Sequence, residues 1–144
     1  MAPIPEPRPG LVIRYAYLWR HEAAQGRDEG TKDRPCVVVL AVTEDEHDAK
    51  TAWIALITHT PPHDPAAAVE IPPSTKNRLG LDPHRSWIVI SEVNRFAWPG
   101  PDLRPVEPGR WVYGLLPAGL FRAVRNRLVE LAVKGKTIPV QREP

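Results

Sequence analysis

RPCVVVLAVTEDEHDAKTAWIALITHT, residues 34–60, is the stretch whose reading decides the fold. Residues 35–42 are continuously apolar and rich in β-branched side chains, the composition of a strand covered on both faces. The acidic segment 43–50 reads as a turn, and 52–58 as the strand that returns from it, so the two are expected to pair antiparallel. In such a hairpin the end of the second strand comes back beside the start of the first. Arg34 and Thr58 then become neighbours in space although 24 positions separate them.

Working outward, residues 11–19 read as a strand with Leu11, Ile13, Tyr15, Tyr17 and Trp19 on one face and Arg14 and Ala16 on the other. Residues 20–34 are polar, contain Gly26 and Gly30, and read as a surface loop. On the far side, Pro61-Pro62 breaks the second strand of the hairpin, residues 68–71 form a short strand ended by Pro72-Pro73, and 87–93 is a further strand. A Pro/Gly turn follows at 98–101. Pro117 opens the single helix expected, over 117–134, because the missing N–H of proline would be unpaired in a first turn anyway. Leu120, Phe121, Val124, Leu128, Leu131 and Ala132 make its apolar stripe, and Gly135 stops it.

The 18 prolines in 144 residues interrupt helices and central strands, which favours a compact, mainly β domain over a helical bundle. Residues 11–135 form that one domain. Four prolines in residues 1–10 predict an extended arm outside the core, and 136–144 read as a tail. Cys36 is the only cysteine, so an intrachain disulfide and a cysteine-based zinc site are excluded. Without an apolar signal segment or a run of membrane-spanning length, the expected compartment is the cytoplasm, with no membrane association. Charge is uneven: residues 1–75 carry 7 basic and 11 acidic side chains, and residues 76–144 carry 12 and 6. A basic half of this kind can meet a phosphate backbone.

The chemistry concentrates at strand ends. Arg34 directly precedes the buried strand, Glu29 lies five residues before it, and Thr58 ends the neighbouring strand. An arginine, a carboxylate and a hydroxyl at one rim can grip a phosphodiester, since a guanidinium binds phosphate with paired hydrogen bonds and the hydroxyl adds another. His59 follows Thr58 and titrates near neutrality, which suits proton exchange. His59, His63 and Asp64 are poor metal ligands as a set, because the intervening prolines fix the backbone awkwardly. Trp98, in its Pro/Gly turn, is the tryptophan best placed to stack on a base.

The order of these elements resembles the PemK/MazF family of toxin–antitoxin ribonucleases over roughly residues 9–133. The resemblance rests on Arg34-Pro35 before an aliphatic strand with Glu29 at the family's spacing, on Ile57-Thr58 at a strand end, and on SEVNRFAW at 91–98. It implies a small SH3-like β-barrel with a C-terminal helix, usually a homodimer. It also implies sequence-selective, metal- and cofactor-independent cleavage of single-stranded RNA by the RNA's own 2′-hydroxyl, under control of a cognate antitoxin protein. On that resemblance Arg34, Thr58 and Glu29 are the catalytic candidates, and His59, Asn94, Arg95 and Trp98 the RNA-binding ones. Asn94 stands where the family pattern has arginine, with Arg95 displaced by one and so facing the other side of its strand. The alternative reading is a non-catalytic SH3-like module that binds RNA or protein.

Overall fold

The computed structural model describes residues 3–24, 32–44 and 49–142. It is mainly β with a C-terminal helix. The decisive hairpin is present: β2 (Arg34–Glu44) pairs antiparallel with β3 (Ala49–Thr58) from Cys36 opposite Leu56 out to Glu44 opposite Ala49, with a bulge between Val38 and Leu40. β1 (Leu11–Tyr15) lies on the other side of β2, Tyr15 opposite Arg34. The apolar run of β2 is covered on both faces. Val37 and Val39 pack into one cluster with Ala55, Ile57, Ile88 and Ile90, while Cys36 and Val38 pack into another with Ile13, Tyr15, Ile54 and Phe96. A strand that buries both faces has no polar side to show water, hence its unbroken hydrophobicity.

The first strand is shorter than expected, ending at Tyr15, and the polar segment after it opens with a one-turn helix, α1 (Arg20–Ala24). Gly26, Glu29 and Gly30 lie outside the described residues. After β3 come β4 (Ala68–Glu70) and an unexpected helix, α2 (Pro73–Leu79), hidden in sequence by the proline pair that precedes it. The strand expected over 87–93 is two strands, β5 (Trp87–Val89) and β6 (Glu92–Ala97). They share one edge of β3: β5 pairs with Ile57 and Thr58, β6 with residues 51–54. β7 (Leu103–Arg104) and β8 (Val112–Leu115) divide the outer edge of β1 in the same way.

α3 (Ala118–Val133) packs Val124 and Leu131 into the first cluster, with Leu120, Phe121 and Leu128 against it. Its end is closed by Gly135 in the left-handed region (φ 69°), where the N–H of Lys136 reaches Leu131 O and that of Gly135 reaches Ala132 O. The chain past this stop is no loose tail. β9 (Ile138–Gln141) runs parallel to β6, and Arg142 beyond it is buried. Nor is the proline arm free: Pro7 is buried, and Trp98 Nε1 donates to Pro5 O at 2.9 Å.

The expected closed barrel is not what forms. The sheet runs β4-β5-β3-β2-β1-β7 with β6, β8 and β9 off that path, and it is not closed. β6 has β3 on one edge and β9 on the other, and side chains tie it to the chain leaving β1. Asn94 of β6 accepts from Leu18 N–H at 2.9 Å and donates to Leu18 O at 2.8 Å. Arg142 donates to Ala16 O at 2.8 Å. A side-chain amide satisfies the orphan backbone groups that a missing strand neighbour would leave.

Candidate functional site

The hairpin register continues outward from Cys36 and Leu56 to bring Arg34 opposite Thr58 at the open end of β2 and β3. Both line a cleft of about 250 Å³, with Lys32, His59, Lys76, Asp82 and Ser86 around them. The Thr58 residue is buried but for its rim, and its Oγ1 accepts the Thr60 N–H at 3.2 Å. That leaves the hydroxyl proton for another acceptor. The Arg34 guanidinium sits over the Trp19 ring, 6.0 Å from its centroid, a contact that steadies a cation without neutralising it. Among the described residues no carboxylate pairs with Arg34; the nearby Asp33 is directed to Arg14 (3.9 Å) and Arg104 (3.6 Å).

The cleft floor comes from α2 and the loop after it. Gly80 takes the left-handed conformation (φ 71°) and turns the chain back, with Leu81 N–H bonded to Lys76 O. Asp82 thereby lands against the Lys76 side chain. Lys76 is 4% exposed, yet its ammonium is satisfied: it donates to Asp82 Oδ1 at 2.8 Å, His84 O at 2.6 Å and Ser86 Oγ at 2.5 Å. Three donors meet three acceptors, which is what lets a lysine stay charged out of water. Asp82 also accepts the His84 N–H at 3.0 Å on Oδ1 and meets His59 Nε2 at 2.7 Å on Oδ2. Burial works against the Asp82 carboxylate, but the hydrogen bonds from Lys76, His59 and the His84 N–H outweigh it and hold its pKa down to about 2. The His59 and His84 rings meet edge to face, 5.6 Å apart.

On the other side of Thr58 lies a second cleft of about 310 Å³, edged by Trp19, Thr60, Pro61, Pro62, His63 and Val89. Its walls are mostly apolar rings and aliphatic groups.

Of the residues expected at one site, the structure gathers Arg34, Thr58 and His59. Glu29 lies outside the described residues. Asn94 is fully buried, with Oδ1 also accepting Arg142 Nη1 at 3.0 Å, so the expected RNA contact is corrected to an internal strut. The reason is the alternation of β6, which turns Asn94 inward toward Leu18 and Arg95 outward. Arg95 lies over Trp53 (5.2 Å) and donates to Gln141 Oε1 at 2.8 Å, in the middle of β3 and away from the cleft. Trp98 is at the opposite end of β3 from Thr58, its N–H on Lys50 O, half-buried and stacked on Phe96. Its expected role as an exposed stacking platform gives way to one as an anchor for the arm. Lys76, Asp82, Ser86 and Trp19 join the site only through the tertiary structure, because α2 follows a proline pair that reads as a break and strand alternation places Trp19 among inward residues.

Among the described residues no helix is long and apolar enough to cross a membrane, and no group of three or more His, Cys, Asp and Glu side chains is arranged to hold a metal ion. No protein-family profile and no curated protein sequence matches the chain.

Proposed function

We propose that this rim binds a phosphodiester of single-stranded RNA and that the protein is an endoribonuclease toxin, an open-sheeted relative of the SH3-like PemK/MazF proteins. The observation that carries the reading is the convergence of Arg34, Thr58 and the His59–Asp82 pair on one cleft, from three separate segments of chain. Attack of a ribose O2′ on the adjacent phosphorus places a second negative charge on the phosphate oxygens. A fixed guanidinium is a suitable counter-charge, because its donors need no reorganisation as that charge develops. The Thr58 hydroxyl supplies one further donor to a nonbridging oxygen. The apolar cleft beside Thr58 offers a neighbouring base a place out of water, in keeping with recognition of unstacked RNA. An antitoxin of the kind this reading implies would lay an extended segment over the same rim and cover Arg34.

The test is purified protein with a mixed-sequence single-stranded RNA in the presence of a chelator, products resolved by length and end group. The expected result is discrete fragments ending in cyclic phosphate, with Arg34→Ala reducing the rate by about 10²–10³-fold. Intact RNA with the wild type, or equal cleavage by Arg34→Ala, overturns the reading. Binding of RNA without cleavage replaces it with the non-catalytic module.

A further inference from the structure

We propose that His59 is the general base of this reaction and that Asp82, pinned by the buried Lys76, is the positioning residue that sets its tautomer. The inference deepens the ribonuclease reading and rests on it. Asp82 Oδ2 stands 2.7 Å from His59 Nε2, so in the neutral ring Nε2 carries the proton and Nδ1 the lone pair. The carboxylate is not free to rotate away, because its Oδ1 already holds Lys76 Nζ at 2.8 Å and the His84 N–H at 3.0 Å. Lys76 has all three of its donors engaged and a side chain 5% exposed, so it acts as a fixed counter-charge and not as a proton carrier. The His59 side chain, by contrast, is 57% exposed and lines the same cleft as Arg34 and Thr58. One nitrogen is therefore held, on a ring that lines the cleft.

The charged and titratable groups facing His59 are Asp82 on one side, with Lys76 behind it, the His84 ring at 5.6 Å, and Lys32, Asp33 and Arg34 across the cleft. In the step itself the 2′-hydroxyl proton passes to His59 Nδ1 as the O2′ electron pair forms the bond to phosphorus. The P–O5′ bond breaks, O5′ takes a proton from solvent water, and the imidazolium returns its proton to the hydroxide left behind. The products are a 2′,3′-cyclic phosphate and a 5′-hydroxyl, with no other co-reactant. While it exists, the imidazolium faces the Asp82 carboxylate through a charge-assisted hydrogen bond.

A purely structural Lys76–Asp82–His59 chain, tying α2 to the end of β3, would affect stability and leave the pH profile alone. The deciding experiment is kcat/KM against pH for wild type, His59→Gln and Asp82→Asn on one RNA oligonucleotide. Binding is measured in parallel with the same oligonucleotide carrying 2′-deoxyribose at the cleaved position, and folding by thermal denaturation. His59→Gln is expected to lose about 10²–10⁴-fold in rate together with the ascending limb of the profile, with binding of the deoxy analogue retained. Asp82→Asn is expected to keep that limb at a lowered rate, because an amide opposite Nε2 favours the other tautomer. Nitrogen-15 NMR of the folded wild type should find the His59 proton on Nε2, a readout independent of any variant's folding. Cleavage by the wild type with His59→Gln equally fast, an unchanged limb in that variant, or a proton on Nδ1 overturns the inference alone. Absence of cleavage by the wild type overturns the ribonuclease reading, and the inference falls with it.

Discussion

Replacing Arg142 by methionine should cost this protein a large share of its stability. Arg142 lies one residue past β9, 2% exposed, and ties its end of the chain to three other parts. Its Nη2 donates to Asp102 Oδ2 at 2.6 Å, its Nη1 to Ala16 O at 2.8 Å and to Asn94 Oδ1 at 3.0 Å, and its guanidinium lies 5.1 Å from the centre of the Tyr15 ring. The Asp102 side chain is only 8% exposed, so losing Arg142 leaves a carboxylate with little water and only the longer contact to Arg104 Nη2 at 4.0 Å. Breaking a buried pair from one side costs about 3–5 kcal/mol, because the partner's desolvation is no longer offset. The two carbonyl acceptors belong to the same network and would not add their full separate costs. We therefore expect a loss of about 4 kcal/mol, out of a total of about 5–15 for a domain. At about 3 °C per kcal/mol for this chain length, the midpoint should fall by about 12 °C. Urea unfolding followed by tryptophan fluorescence measures it. The double variant Arg142→Met, Asp102→Asn should recover part of the loss, with a coupling of about 0.5–3 kcal/mol. A loss below about 1 kcal/mol, or strictly additive variants, would mean that Asp102 is solvated without Arg142 and that the chain after α3 is an appendage.

Three further outcomes follow from single contacts. Asp82 has a folded pKa of about 2, below the ordinary aspartate value of about 3.9, so its contribution to stability is whole above the ordinary value and lost as pH falls through the folded one. Urea unfolding of wild type and Asp82→Asn should accordingly converge between about pH 4 and 2, and a gap constant with pH would contradict the assignment. Gly114 has φ 146°, and a Cβ there would stand 2.9 Å from Leu79 Cδ2, itself buried. Gly114→Ala should cost about 1–3 kcal/mol by thermal denaturation; a change within about 0.5 kcal/mol would show that Leu79 repacks freely. Trp98→Phe removes the donor that holds Pro5 O, at about 1 kcal/mol. Exchange of the Leu11 N–H, which is held by Arg8 O of the arm, should rise; unchanged protection would assign the arm's docking to the buried Pro7 instead.

The parts legible in the sequence were those set by local pattern. The unbroken apolar run of β2 announced a strand buried on both faces, and the returning pattern of β3 announced its partner. The stripe of α3 with its glycine stop gave that helix almost to the residue. The pairing of those strands also foretold that Arg34 and Thr58 share a rim. Features that depend on what a segment meets across the fold were not legible. Pro72-Pro73 reads equally as a strand end or a helix start, and α2 is decided by the packing of Leu79 and the bonding of Lys76. The apolar run at 87–90 continues into 93 with little break, yet the chain is split because β3 offers its edge to two strands in turn. The motif position of Asn94 points to RNA contact, whereas its surroundings make it a strut.

Sequence alone determined the composition of the rim: an arginine fixed by the proline after it, and a threonine and histidine before a proline pair, with covalent geometry and strand periodicity as the cause. Tertiary structure decided the remainder. Lys76 and Asp82 are 6 positions apart along the chain and Asp82 and His59 are 23, and no local rule relates a helix lysine to a strand-end histidine. They meet because Gly80 reverses the chain and because a buried ammonium must find acceptors, a demand that only the folded surroundings impose. Whether the sheet closes was decided in the same way: β6 has β3 on one edge and β9 on the other, so the chain after β1 meets it through side chains such as Asn94 and not through a ladder.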